Sequence, residues 1–404
     1  MAKYQGVVIS DIHVGAFDVN KLHTEYLEIF IEKIRNMEKL DFVIVAGDFF
    51  DHKFYLNDKE ATMAYIMLKE LVTACKEKDA VLRFVYGTES HECNQYDILS
   101  LLKIYDKINV IKTASEEELL PDFRVLYLPE EHILNKDEYY NEFFENDKKY
   151  DYVFGHGVVR EVMKELAVHV DNSTTENTKR KKVPVFNTAE LTRICKGQIY
   201  FGHYHMNEEW NDKIFSISSF SRWKFGEEGR KGFYLLSCDT SKEKYKQEFI
   251  ENTLADNFKT ISFSYNNTIF KDENDMQDVL NGLDKALERQ PYDHMRFIFN
   301  IPSDATNPEA VINYIKERYK YKDKVKVDIT NGYIEEKRQI KKEKVNDENE
   351  IYSFIFDKDC PLEDKCGRFI EITYNSSIPT KRIGNYLYKT LGEILEEETN
   401  ETEY

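Results

Sequence analysis

The sequence predicts an α/β layered domain over residues 1–248, a smaller α+β unit over 249–336, and a charged linker with a helical tail over 337–404. Three observations carry that division. Through about the first 240 residues, short β-branched or apolar runs alternate with amphipathic segments, the pattern of strands and helices stacked in layers. After about Phe249 the runs change character, and a charged stretch, "EEKRQIKKEKVNDENE", then separates the second unit from the tail. Such a stretch reads as a solvated helix or linker. At 404 residues the chain is too long for one ordinary domain.

In the first domain "GVVIS" reads as a strand, and Leu22, Tyr26, Ile29, Phe30, Ile34 and Met37 recur at helical spacing behind it. "DFVIVAGD" follows as a buried strand, Ala61 to Cys75 as a second helix, and "AVLRFVYG" as a third strand. Later strands are "RVLYLP", "YDYVFGHG", "GQIYFGHYH", "KIFSIS" and "GFYLLS". In the second unit "FKTISFSY", "MRFIFNI" and "KVKVDITN" read as strands, with helices over "ENDMQDVLNGLDKALER" and "PEAVINYIKERY". In the tail Ile383, Leu387, Leu391 and Ile394 lie along one helical face, a stripe that suits a partner.

Composition narrows the class. With 27 Tyr and 26 Phe but 16 Gly and 8 Pro, the chain is globular rather than low-complexity. A formal charge of -18 argues against a surface that binds nucleic acid all over, because an acidic field repels phosphates. It leaves room for a local basic or metal-lined groove. The 6 Cys include no C-x-x-C pair and fit a reducing compartment better than a disulfide framework. No membrane-length apolar span or secretory leader is read, so a cytoplasmic protein is expected.

Five short stretches share one placement, at the C-terminal ends of predicted strands. They are Asp11-Ile12-His13, Gly47-Asp48-Phe49-Phe50-Asp51-His52, Ser90-His91-Glu92, Gly155-His156-Gly157 and Gly202-His203-Tyr204-His205. In layered α/β folds that edge is where ligands bind. In an extended segment residues i and i+2 point the same way, so Asp11 with His13, and His203 with His205, could each reach a common centre. Taken singly, each stretch is more often a hydrogen-bonded loop than a ligand set. Together at one edge they point to a metal site. Imidazole and carboxylate donors without thiolate favour Mn, Fe or Zn over Ca or Mg. Asp48, beside Gly47, is the natural carboxylate to bridge two ions, and two ions roughly 3.5–4 Å apart suit phosphoester hydrolysis.

The ordered set D-x-H, G-D-x-x-D, a histidine-bearing third loop, G-H and G-H-x-H resembles the calcineurin-like metallophosphoesterase superfamily. "GDFFD" and "SSFSRWKFGEEGRKGFYLL" (Ser218 to Leu236) resemble its SbcD/Mre11 nuclease branch. The resemblance implies a two-sheet metallophosphoesterase sandwich flanked by helices. It also implies a small α+β DNA-capping domain after about Phe249 and a tail that binds an SbcC/Rad50-like ATPase. Its implied cofactors are two manganese ions, with Mg, Fe or Zn as alternatives. Asp11, His13, Asp48 and His205 would surround the first ion, and Asp48, a third-loop residue, His156 and His203 the second. His91 matches the family histidine that acts on the leaving oxygen, a task that suits imidazole, and Asp51 a position held by Asp or His. His52 is either a substrate contact or simply exposed.

The third loop departs from the family's G-N-H-D or G-N-H-E. In "GTESHE" Ser90 stands where the Asn ligand is expected. Either Ser90 binds the second ion weakly, or Glu89 or Asn94 reaches in, and a weaker second site would follow. Four basic residues, Lys179, Arg180, Lys181 and Lys182, could meet DNA at the rim or lie in a solvated loop. Apolar stripes over Tyr65 to Cys75 and Tyr96 to Tyr105 suit a homodimer bundle, though core packing would also account for them. A metallophosphatase acting on a nucleotide or phosphoprotein, and a DNA-end-binding scaffold with impaired catalysis, are the competing readings.

Overall fold

The computed structural model describes residues 3–55, 57–102, 105–145, 149–163, 183–263, 292–300, 308–320 and 325–330, with isolated positions between 277 and 288. Its first unit is an α/β sandwich. Parallel strands β1 (Lys3–Ile9), β2 (Phe42–Ala46), β3 (Val81–Val85) and β4 (Ile108–Ile111) begin one sheet. The chain then enters a second sheet with β5 (Ser115–Leu120), β6 (Phe123–Leu128) and β7 (Tyr150–His156). A short parallel pair, β8 (Val158–Val159) and β9 (Val185–Phe186), interrupts it. Strands β10 (Cys195–Gly202), β11 (Glu208–Trp210) and β12 (Ile214–Ser216) complete the order β11-β12-β10-β7-β6-β5. An antiparallel hairpin, β13 (Gly232–Asp239) and β14 (Lys244–Glu251), returns to the first sheet, ordered β14-β13-β1-β2-β3-β4.

Side-chain alternation explains the layers. In β1 and β2, Val7, Ile9, Val43 and Val45 face a core shared with helical residues, while Val8, Phe42, Ile44 and Ala46 face the second sheet. The outer core of the first sheet is closed by α1 (Val19–Glu25), a π-helical turn (Tyr26–Ile31), α2 (Glu32–Asn36) and α3 (Lys59–Glu77). After the four-residue α4 (Glu89–Glu92), helices α5 (Lys136–Phe144) and α6 (Thr188–Ile194) cover the second sheet on Leu126, Val153, Ile199 and Phe201. Between the sheets the filling is aromatic, with Phe42, Phe123, Tyr152, Phe154, Tyr200 and Phe215 mutually in contact.

The stripe from Tyr65 to Cys75 is used inside the chain: Met67, Leu68, Leu71, Val72 and Cys75 are buried in the outer core with Tyr96 and Leu99. Core packing therefore accounts for most of the first stripe and, among the described residues of the second, for Tyr96 and Leu99. Strands β5 and β14 carry no strand signal in the sequence, because "SEEELL" and "KYKQEFIE" are solvated on one face and carry no apolar run.

The chain divides into two compact units, one of residues 1–261, 286–296 and 323–326, the other of residues 262–285, 297–322 and 327–404. The boundary expected at 248/249 falls inside β14, which runs on to Glu251. Strands β15 (Phe258–Phe263), β16 (His294–Asn300) and β17 (Val325–Thr330) form a three-stranded sheet in that order, with α7 (Pro308–Tyr319) between the last two in sequence. Most of the expected helix over 273–289, the charged run and the tail lie outside the described residues. Among the described residues no helix is long and apolar enough to cross a membrane.

One ion pair ties the sheets together. Arg83 of β3 donates two bonds to Glu117 of β5, at 2.9 and 2.5 Å, and Glu117 also accepts from Tyr127 Oη at 3.0 Å. Glu117→Ala would leave the guanidinium and the phenol without that acceptor. Urea unfolding is expected to show a loss of about 2 kcal/mol, and an unchanged midpoint would show that the pair holds nothing.

Candidate metal centre

The rim residues sit where the parallel strands stop. Hydrogen bonding continues past the strands into the loops: Asp11 N donates to Gly47 O (3.1 Å), His13 N to Asp48 O (3.1 Å), Val14 N to Phe49 O (2.9 Å) and Asp51 N to Val14 O (3.0 Å). Asp11, His13 and Asp48 have φ of 50, 50 and 49°, and His203 has 88°, a region that side-chain-bearing residues rarely adopt. Asp11 and His13 thus reach one centre from a tight loop, not by the extended geometry expected of D-x-H. Two glycines allow the close approach. A Cβ on Gly47 (φ +88) would lie 2.1 Å from His156 Nδ1, and one on Gly202 would lie 1.9 Å from Ser10 Oγ and 2.4 Å from Ala46 O.

Among the described residues, three groups of donor atoms form, each with its atoms within 4.8 Å of one another: Asp11, His13 and His205; Asp48, His156 and His203; and His13, Asp51 and His91. Every expected metal residue except Ser90 is in one of them. The hydrogen bonds decide which ring atoms face inward. His205 Nδ1–H donates to Glu227 Oε1 at 2.6 Å, which turns its Nε2 lone pair toward His13 Nε2 (3.1 Å) and Asp11 Oδ1 (3.5 Å). His156 Nδ1–H donates to Ala46 O at 2.8 Å, leaving Nε2 3.2 Å from Asp48 Oδ2 and 3.8 Å from Glu130 Oε2. His156 Nε2 and His13 Nδ1 are buried and make no hydrogen bond, although a carboxylate oxygen stands 3.2 Å from each.

Acceptors crowded in this way need positive charge among them. Burial works against a charged His13, yet Asp11, Asp51 and Asp48 raise its pKa to about 9. Burial likewise opposes a charged His156, but Asp48, Asp11 and Glu130 push it well above the ordinary imidazole value. Asp48, despite burial, falls to about 2 beside His156 and His13. Protons can supply that charge; so can divalent cations, for which oxygen and imidazole donors on fixed loops are a suitable set. The backbone carbonyl behind His156 and the carboxylate behind His205 are the outer partners that metal-ligating histidines use to fix their tautomer.

The third loop corrects one expectation. Ser90, Glu89 and Asn94 are all exposed, Ser90 O accepts from Cys93 Sγ, and Asn94 Oδ1 accepts from Lys112 Nζ at 2.9 Å. Among the described contacts none joins these three to the cluster. The helical turn of α4 carries Glu89 and Ser90 outward and Glu92 inward. Thr88, next to Gly87, faces the cluster instead, donating N–H to Asp48 Oδ1 at 2.7 Å and setting Oγ1 3.2 Å from Asp48 Oδ2. Buried Glu92 accepts from Phe49 N, Gly87 N and Tyr96 Oη, and burial with Asp48 nearby pushes its pKa to about 8. His91 Nδ1–H donates to Asp51 O, and its ring lies edge-on to His13 with centroids 4.9 Å apart. Asp51 Oδ1 is 3.2 Å from His13 Nδ1. His52 is 52% exposed and 3.1 Å from Asp51 Oδ2. Lys179, Arg180, Lys181 and Lys182 lie outside the described residues.

Sequence reasoning missed three neighbours. Glu130 is 7% exposed and stands 3.0 Å from His203 Nδ1. Glu227 backs His205; burial opposes its charge, but His205 and Lys231 hold its pKa at about 2. Trp223 lies against His13 and His205, with centroids 5.0 and 5.2 Å away. Glu130 follows the strand "RVLYLP" at the same rim as the five stretches, and that placement is its signal in the sequence.

No protein-family model matches the chain, and no curated protein matches it. Solved structures do match. One, 15% identical, aligns over 62% of this chain and 100% of its own length with a TM-score of 0.33, too loose to carry an argument.

Since His13 is raised to about 9, it holds a proton at neutral pH without a metal, and a ligating imidazole must give it up. Loading with manganese is therefore expected to release protons and to tighten as pH rises toward about 9. Calorimetry in buffers of different ionisation enthalpy reads the release. Binding without proton release would contradict the arrangement.

Proposed function

We propose that this chain is a two-ion phosphodiesterase of the calcineurin-like metallophosphoesterase type, acting as the DNA exonuclease and endonuclease subunit beside an SbcC/Rad50-like ATPase. The observation that supports it most is the pair of donor groups, Asp11/His13/His205 and Asp48/His156/His203, with Asp48 also facing His13 at 3.7 Å. Manganese held there would supply Lewis-acid activation of water and of the phosphoryl oxygens, with Mg, Fe or Zn as other occupants.

The chain's own residues divide the remaining work. His91, with Nδ1–H fixed on the Asp51 carbonyl, presents Nε2 to carry the proton that the leaving oxygen takes. Asp51 holds His91 through its carbonyl and lies against His13 through its carboxylate. Trp223, half-buried against His13 and His205 and parallel to Phe17 within 8°, offers an aromatic face of the kind on which nucleobases stack. That favours a nucleic acid over a phosphoprotein. The α+β region over 249–336 would cap DNA, the tail over 337–404 would bind the ATPase, and Lys179 to Lys182 would meet phosphates.

The test is cleavage of linear duplex and single-stranded DNA with added manganese. Wild type is expected to cut, His91→Ala to slow by about 100-fold or more, and Asp48→Ala to abolish cutting. A wild type inert on both substrates with its ATPase present would end the nuclease reading. Hydrolysis of an aryl phosphate alone would favour the phosphatase.

A further inference from the structure

We propose that Glu130 is the carboxylate ligand of the second ion, taking over the task that the third loop has given up. The inference rests on the two-ion reading and deepens it. Glu130 N donates to Tyr86 O at 3.1 Å, which pins the loop after β6 to the end of β3 and turns the side chain inward. Its carboxylate is 3.0 Å from His203 Nδ1 and 3.8 Å from His156 Nε2. Thr88 Oγ1 stands 3.2 Å from Glu130 Oε2 and 3.2 Å from Asp48 Oδ2. A hydroxyl has one hydrogen, so it can donate to only one of them. Two buried carboxylates thus face each other across a single proton, an arrangement that repels unless a cation lies nearby.

A second observation points the same way. His156 is 1% exposed, its Nδ1–H is committed to Ala46 O, and its buried Nε2 has no hydrogen-bond partner. That nitrogen faces the space that Asp48 and Glu130 border. The donor set Asp48, Glu130, His156 and His203 carries two carboxylates, where a neutral third-loop donor was expected to leave a weaker site. Carboxylate-rich sets suit hard divalent ions such as manganese and magnesium, so the second site gains charge where the sequence suggested a loss. Thr88 keeps the loop in place through Asp48 and leaves Ser90 free to face solvent.

Glu130 has one rival role, accepting from His203 Nδ1–H as an outer partner without touching the ion. Glu130→Gln separates the two, since an amide oxygen keeps the acceptor and loses the charged ligand. The experiment is manganese titration of the full chain, with ions counted by calorimetry and paired ions read from the exchange-coupled electron paramagnetic resonance signal. Wild type is expected to bind two ions. In Glu130→Gln the first ion should bind as before, while the second weakens by about 100-fold or more and the coupled signal disappears. Glu130→Asp should recover part of it, and Ser90→Ala should match wild type. Second-ion affinity in Glu130→Gln within about 10-fold of wild type would overturn the assignment while leaving two ions in place. A wild type that binds fewer than two ions would overturn the two-ion reading itself.

Discussion

His156 gives its Nδ1–H to the Ala46 carbonyl and so turns its other nitrogen, also buried, toward Asp48 and Glu130. His205 does the same on the opposite side, with Glu227 holding its Nδ1–H. Each imidazole is oriented from behind by an acceptor, and each then faces further acceptors in front. The cluster can be stable only with positive charge inside it, whether protons on His13 and His156 or divalent ions. Much of the surrounding structure serves to keep these groups together against their own repulsion.

The fold achieves this by running the parallel strands of two mixed sheets to a common rim and stitching their loops with backbone hydrogen bonds. Asp11, His13 and Asp48 are forced to positive φ, and the packed sheets beneath hold that conformation. Gly47 and Gly202 let the backbone come so near His156 that no side chain fits at either position. Behind His205, Lys231 is buried beside Glu227, 3.4 Å away, and the Ser219 hydroxyl, 2.9 Å away. Phe220 N donates to Asp11 O at 3.2 Å, so the serine-rich turn closes on the first loop. Activity would depend on this stitching as much as on the donor atoms.

Buried parallel strands were legible because they read as unbroken apolar runs, and their C-terminal ends marked the rim. Edge strands β5 and β14 were not, since their partners rather than their composition make them strands. The histidines and aspartates of the centre were legible from residue type and order, and the structure brings Asp11, His13, Asp48, Asp51, His91, His156, His203 and His205 into shared donor groups. Ser90 failed for a local reason: the turn of α4 inverts the facing that a simple alignment of "GTESHE" assumes, so Thr88 rather than Ser90 meets Asp48. Glu130 was hidden because one glutamate after a strand carries no pattern of its own. Its meaning comes from His156 and His203, which lie 26 and 73 positions away.

The most direct measurement is anomalous diffraction at the manganese edge from crystals grown with the ion. Two peaks are expected, one among Asp11, His13 and His205, the other among Asp48, Glu130, His156 and His203, with Asp48 common to both. No peak in the cluster, or peaks confined to surface carboxylates, would contradict the centre.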